Sequence, residues 1–483
     1  MKKFLAILWA IIILGSAFIA INMFKPDVFD LKEKFPVLNK IPKSNTAVNE
    51  EENKELTQSY EAYLLLGDKY VAAKNYPLAI YNYRYALKRN SENITPYIKL
   101  GATYLKNNEP TKAYDYFLKA LKINSESLTA QLGVAQSFLN IRQFEKARDY
   151  LVTLDQTKYE IKYYNALIFI LFKEFDKAEK LLTEVASAKG KVDEKFLNYS
   201  QKFLDKYKTF STFKEGDPLF LETLICKALT EVEQYDAAIP LLYDVVDQKS
   251  NYRDPWIILG YAYLKTGKNE DAIDAFSNAQ NTNKNEPANK AETSFFLGIS
   301  YFANSNLERA VYYLEEANKE GYEPKDILNM KLGDIYMQQG KYEDSANKYD
   351  EVLSVNTSNL DIFNRAIWLY IEKLNNPAKA LELAQKAVKA FPNEAMSHNL
   401  LGWAYTANND FVKAKESLQK ALELDENLDA IYLNIGILYE KQSMDDKAKE
   451  FYEKALLLGQ GSSVGNLAKV KIQNLEDKNQ PKT

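Results

Sequence analysis

Histidine and cysteine are almost missing from this sequence of 483 residues, which contains one of each, His398 and Cys226. A lone cysteine excludes an intramolecular disulfide. A lone histidine excludes a His-rich metal site. Charge of one sign is lacking as well: 62 Lys and Arg stand against 66 Asp and Glu, a net charge of −4. That balance is unlike the basic footprint of a nucleic-acid binder. Glycine and proline number only 17 and 14, too few for a fibrous or low-complexity chain. No phosphate loop can be assembled. Gly260 and Gly267-Lys268 are separated by six residues with no strand before them, and Gly459, Gly461 and Gly465 end a helical pattern.

What the chain has in quantity is aromatic residues, 34 Tyr and 24 Phe, and they recur in a fixed register. In residues 400–456, Gly402 is followed by Tyr405, Ala414, Leu418 and Ala421, at offsets of 3, 12, 16 and 19 residues. Gly436 is followed at the same offsets by Tyr439, Ala448, Tyr452 and Ala455, 34 residues further on. On a helix, Gly-x-x-Tyr sets a hole beside a knob. The small residue lets a second helix approach, and the two alanines on that second helix do the same in return. The short polar stretches between them make each copy an antiparallel helix pair. One pair cannot bury its apolar faces alone, so copies must stack.

The same register runs through most of the chain. Copies begin at Gly67, at Gly101, at Ala135 and, in a shorter form, at Ala166. They resume with Cys226 in the glycine slot, then at Gly260, Gly298 and Gly333. Residues 361–390 form an irregular copy with Ala380, Ala384 and Ala387, giving about eleven in all. This spacing resembles the tetratricopeptide repeat (TPR), a 34-residue helix–turn–helix unit. The resemblance covers roughly residues 60–458 and implies an all-α, TPR-like superhelical solenoid. Expected segments are repeats 1–4 over 59–188, an insertion or degenerate repeat over 189–217, repeats 5–11 over 218–459, and a capping helix and tail over 460–483.

Residues 4–24 are almost wholly apolar. At about 1.5 Å per residue they would reach ~31 Å, enough to cross a bilayer. An uncleaved transmembrane signal-anchor is expected there, with a signal peptide processed at residues 15–17 as the alternative. Lys2 and Lys3 favour a cytoplasmic N-terminus, although Lys25, Lys32, Lys34, Lys40 and Lys43 follow the span. The expectation is a single-pass protein of the cytoplasmic membrane with its array on the extracytoplasmic side. Residues 25–58 contain Pro26, Pro36 and Pro42 and read as a polar linker.

Catalytic machinery, cofactors and metals are not expected. Cys226 fills a small-residue slot, where it acts as a small apolar group. His398 lies four residues before Gly402, the slot that Trp256 holds before Gly260. The TPR resemblance points elsewhere, to an inner face lined by the first helix of each pair. Residues three before, one after and four after the glycine slot face it. In this chain that gives Leu132, Tyr163, Leu167, Ile170, Ile257, Tyr261, Leu264, Phe295, Ile299, Phe302, Met330 and Met337. TPR proteins that clamp an acidic chaperone tail carry Asn one after the glycine. Here Asp68, Ala102, Gln136, Ile299 and Asp334 hold that slot, so no such clamp is expected.

An apolar groove suits a partner helix or an apolar extended segment. The expected function is a membrane-anchored, non-catalytic scaffold for other proteins, in a setting such as cell-envelope assembly or secretion. A carrier or sensor of envelope glycans or apolar small molecules is the alternative.

Overall fold

A computed structural model describes residues 50–213, 216–282, 287–459 and 462–479. Among the described residues there are 24 α-helices and one π-helical turn. The chain divides into two compact units, residues 1–282 and 283–483.

In the first unit α1 (Glu50–Ala72) pairs with α2 (Tyr76–Arg89), α3 (Ile94–Lys106) with α4 (Pro110–Ile123), α5 (Leu128–Asn140) with α6 (Phe144–Val152), and α7 (Tyr159–Leu171) with α8 (Phe175–Ala186). An unpaired helix, α9 (Glu194–Ser211), follows. Two further pairs end the unit: α10 (Pro218–Glu231) with α11 (Tyr235–Gln248), and α12 (Arg253–Lys265) with α13 (Asn269–Thr282). In the second unit α14 (Pro287–Ala303) pairs with α15 (Leu307–Lys319), and α16 (Lys325–Gln338) with α17 (Tyr342–Val355). Next, α18 (Leu360–Trp368), extended by the π turn Leu369–Lys373, pairs with α19 (Pro377–Ala390). The last pairs are α20 (Ala395–Ala407) with α21 (Phe411–Leu424) and α22 (Asp429–Lys441) with α23 (Asp445–Leu458), closed by α24 (Ser463–Asn479). Within each unit the helices stack as a TPR-like solenoid.

The pairing follows from the hole and the knob. A Cβ on Gly101 would lie 2.8 Å from the Phe117 ring, one on Gly333 would lie 2.7 Å from Tyr349, and one on Gly402 would lie 2.5 Å from Leu418. In every case the large residue sixteen positions later fills the space that the glycine leaves. Ala79, Ala113, Ala272, Ala310, Ala414 and Ala448, at the offset of twelve, are all fully buried.

The turn inside each pair has a rule of its own. Lys74, Asn108, Arg142, Lys173, Glu233, Ser305, Asn409 and Ser443 all have φ between 56° and 62°, and each lies seven residues after its glycine slot. Gly267 and Gly340 take the same place with φ 74°. One left-handed residue reverses the chain in each pair, although lysine, arginine and glutamate seldom adopt that conformation. In the irregular copy Ala366 and Ala380 are 14 residues apart instead of 12, and the left-handed residue is Asn375. The extra length is taken up in and just after the π turn, where Leu374 N–H donates to the Leu369 carbonyl at 2.9 Å.

The membrane placement requires correction. Among the described residues no helix is long and apolar enough to cross a membrane. The expected span over 4–24 and most of the linker over 25–58 lie outside the described residues. Residues 189–217 contain α9, which packs between α8 and α10: Tyr207 donates to the Phe175 carbonyl at 3.0 Å, and Lys206 pairs with Glu231 at 2.8 Å.

Gly436→Val is expected to overpack the contact with Tyr452 and to destabilise α22 and α23 by about 1–3 kcal/mol. Hydrogen exchange in those two helices measures it, and unchanged protection would contradict the hole-and-knob account.

Candidate functional site

The first helices of the pairs carry the residues expected to meet a partner. Seven of the twelve, Tyr163, Leu167, Ile170, Tyr261, Phe295, Phe302 and Met330, are buried. Leu132, Ile257, Leu264, Ile299 and Met337 are half-buried. The cause is aromatic packing between consecutive elements. Phe295 is stacked on Tyr322 with ring centres 4.2 Å apart, and Tyr163 meets Phe196 of α9 edge-on at 5.3 Å. Large apolar groups in close-packed repeats are covered by whatever follows them in the stack. Ile299, Trp403 and Ile437 all sit one residue after a glycine in the second unit and keep part of their surface. Sequence reasoning named only Ile299 of these three. The signal for the other two was the same slot rule, applied to the last two copies.

That slot also carries a polar arrangement. Where it holds Asp, the residue sixteen after the glycine is Tyr, and the two bond. Tyr83 donates to Asp68 at 2.6 Å, and Tyr349 donates to Asp334 at 2.8 Å. A cation 31 residues after the acid completes each set: Lys99 on Asp68 at 2.6 Å, and Arg365 on Asp334. Near the end of the array Tyr452 and Lys471 converge on Glu440 in the same way. The Asp334 set is the most deeply buried, with Lys331 only 4% exposed and its Nζ 3.8 Å from the carboxylate. Burial lowers the Lys331 ammonium from its ordinary value, and Asp334 opposes the shift. These acids are therefore neutralised from within the chain.

The slots compared with the chaperone-tail clamp are occupied in other ways. Gln136 exchanges two side-chain hydrogen bonds with Gln234, both 2.9 Å, and accepts a third from Tyr164 at 3.1 Å. Ala102 and Ile299 offer no polar atom.

Neither chemically versatile residue stands in a reactive setting. Cys226 is fully buried, its Sγ 3.9 Å from the Ala238 carbonyl, and burial pushes its thiol well above the ordinary value. The Nε2 of His398 lies 2.8 Å from the Pro392 carbonyl, which can only accept, so that nitrogen carries the proton. The same bond, from the residue four before the glycine slot to the carbonyl six residues back, recurs at other copies. Tyr97 reaches Ser91, Gln131 reaches Ser125, Trp256 reaches Ser250 and Tyr432 reaches Glu426. His398 thus ties down the loop before its helix, a task that three other residue types, Tyr, Gln and Trp, perform in four other copies. Among the described residues no group of three or more His, Cys, Asp or Glu is placed to hold a metal ion.

Sequence profiles of the tetratricopeptide repeat match residues 94–127, 259–323, 295–359, 372–429 and 430–458. The chain carries tetratricopeptide repeats. TPR proteins in general mediate protein–protein interactions and bind other proteins, and they are typically non-catalytic. No curated protein matches the chain. Among solved structures it is similar to the APC/C hetero-tetramer Cut9–Hcn1, at 14% identity over 86% of this chain and 96% of that one, TM-score 0.34. It is similar to yeast Tom70 at 14% identity over 88% and 96%, TM-score 0.34. MamA from Desulfovibrio magneticus RS-1 is 22% identical over 36% of this chain and 97% of that one, TM-score 0.31.

Two tests address the polar sets of these TPR helices. Asp334→Ala would strand Lys331 and Arg365 and is expected to cost about 3–5 kcal/mol, read by chemical denaturation with tryptophan fluorescence; a loss below about 1 kcal/mol would contradict the arrangement. The second test is alkaline. Burial first, and then the acceptor carboxylate, hold the hydroxyls of Tyr83, Tyr349 and Tyr452 above the ordinary 10.0. The unfolded chain therefore releases these protons first as pH rises, so their stabilisation is intact below about pH 10 and is lost above it. The urea midpoint should fall between pH 9 and pH 11, and replacing all three by Phe should flatten that fall; equal slopes would refute the assignment.

Proposed function

We propose that the chain is a non-catalytic scaffold that takes up a helix or an extended segment of another protein along the first-helix face of its second unit. The observation that carries this reading is the slot after the glycine. In that unit it presents Ile299, Trp403 and Ile437, apolar side chains that their own neighbours leave partly uncovered. Met337 of α16 adds a fourth, also half-buried. Partly covered apolar side chains on successive helices suit a partner that contributes its own apolar residues at intervals along one element. The acids Asp334 and Glu440 lie on two of these helices, α16 and α22, and each already pairs with a cation of the chain itself, so neither is left to attract a lysine-rich segment. The buried Phe295, Phe302 and Met330 shape the face from beneath without touching the partner.

The experiment is photo-crosslinking from defined positions in the full chain. A photo-reactive residue at position 299 or 403 is expected to capture the same protein, and one at Val412, 71% exposed, is expected not to. Ile299→Ser with Trp403→Ser should abolish capture from position 437 while leaving the melting temperature within a few degrees. Capture from Val412 as efficient as from 299 and 403, or none from either, would refute the proposed face.

A further inference from the structure

The left-handed turn residues differ between the two units. In the second unit they are small or amide: Ser305, Gly340, Asn375, Asn409 and Ser443. In the first unit four of the six have long charged side chains, Lys74, Arg142, Lys173 and Glu233, and the other two are Asn108 and Gly267. Those side chains reach across the unit. Asn108 Nδ2 donates to the Thr266 carbonyl at 3.2 Å, 158 residues away in sequence. Arg142 donates to one Asp236 oxygen from Nε at 3.2 Å and from Nη2 at 3.0 Å. Lys173 pairs with Glu222 at 2.9 Å and with Asp244 at 3.0 Å. Glu233 acts electrostatically on both Lys74 and Tyr76 at the first turn.

These contacts bring the turn before α11 onto α5. Gln234, the last residue before α11, makes its reciprocal amide pair with Gln136. Gln136 occupies the slot one after Ala135, the slot that the repeat pattern assigns to the inner face. A segment of the chain itself therefore sits where a bound segment would. The contacts at α5 and its turn are polar and partly exposed: Arg142 keeps 32% of its side-chain surface and Asp236 keeps 17%. Bonds of this kind are weak singly and exchange readily with water, so the arrangement can open without unfolding the core beneath it.

We propose that the first unit is closed by a clasp formed by its left-handed turn residues, and that the turn at Glu233 and Gln234 is an intramolecular occupant of the inner face of α5, displaced when the clasp opens. The clasp rests on the contacts within this unit, not on the binding face proposed for the second unit.

Hydroxyl-radical footprinting of the full chain tests it, with the half-buried Tyr76 and Tyr235, both within electrostatic reach of Glu233, as reporters and the fully buried Phe276 as the control for global unfolding. R142E is expected to raise modification of both tyrosines at least about threefold with Phe276 still protected, and R142E/D236R to return both to the wild-type level. Unchanged tyrosine modification in R142E, or failure of the reversed pair to restore it, would overturn the clasp. Should R142E also expose Phe276, the milder N108A decides: a rise at Tyr76 and Tyr235 alone supports the clasp, and no rise overturns it. The photo-crosslinking above reads a different unit, so either proposal can fail without the other.

Discussion

Everything in this array depends on the small residue at the glycine slot, most often glycine itself, and the large residue sixteen positions later that packs over it. The contact closes each helix pair, sets how near its two helices come, and at offsets of twelve and nineteen mostly leaves room alongside for small or short-branched residues, chiefly alanine, with Ser345, Val352, Val185 and Val245 as variants. Because the same contact recurs in copy after copy, stability is distributed along the chain instead of residing in one large core. Helices of modest individual propensity can then persist, since each is held by a neighbour before it and another after it.

Superimposed on that apolar key is a polar one. Tyr replaces Phe or Leu at the filling position where a carboxylate stands within reach of its hydroxyl, as with Asp68, Asp334 and Glu440. Where the slot after the glycine is apolar and no such acid is near, as at Ala102, Ile299 and Trp403, the filling residue is Phe117, Leu314 or Leu418. A tyrosine hydroxyl buried without an acceptor would cost stability, so the choice between the two ring types follows from the residue beneath it.

The helix pairs were legible in the sequence because their determinants are local and periodic: the offsets of three, twelve, sixteen and nineteen read directly as faces of two helices. The link between Asp68 and Tyr83, or Asp334 and Tyr349, was legible in principle, since it repeats at one fixed offset. Burial of Tyr163 and Phe295 was not. It depends on Phe196 and Tyr322, which come from an unpaired helix and a loop that no repeat pattern specifies. The left-handed turn residue was hidden for a different reason. Lysine, arginine and glutamate are not turn-forming residues, and the conformation is imposed on them by the two helices that the turn must join. The apolar run at 4–24 led to a membrane placement that no described helix supports.

The acid, tyrosine and cation sets also bear on how near-identical copies find their correct order. Every pair offers its neighbours much the same hole and knob, so shape alone scarcely distinguishes the right neighbour from one a repeat further along. The Asp334 set spans two pairs, drawing Lys331 and Asp334 from α16, Tyr349 from α17 and Arg365 from α18. A stack that skipped or exchanged a copy at that point would leave Arg365 without its carboxylate and Asp334 without its guanidinium. Charge at this junction thus serves as an address label on an otherwise repetitive surface, and the chain is numbered from inside.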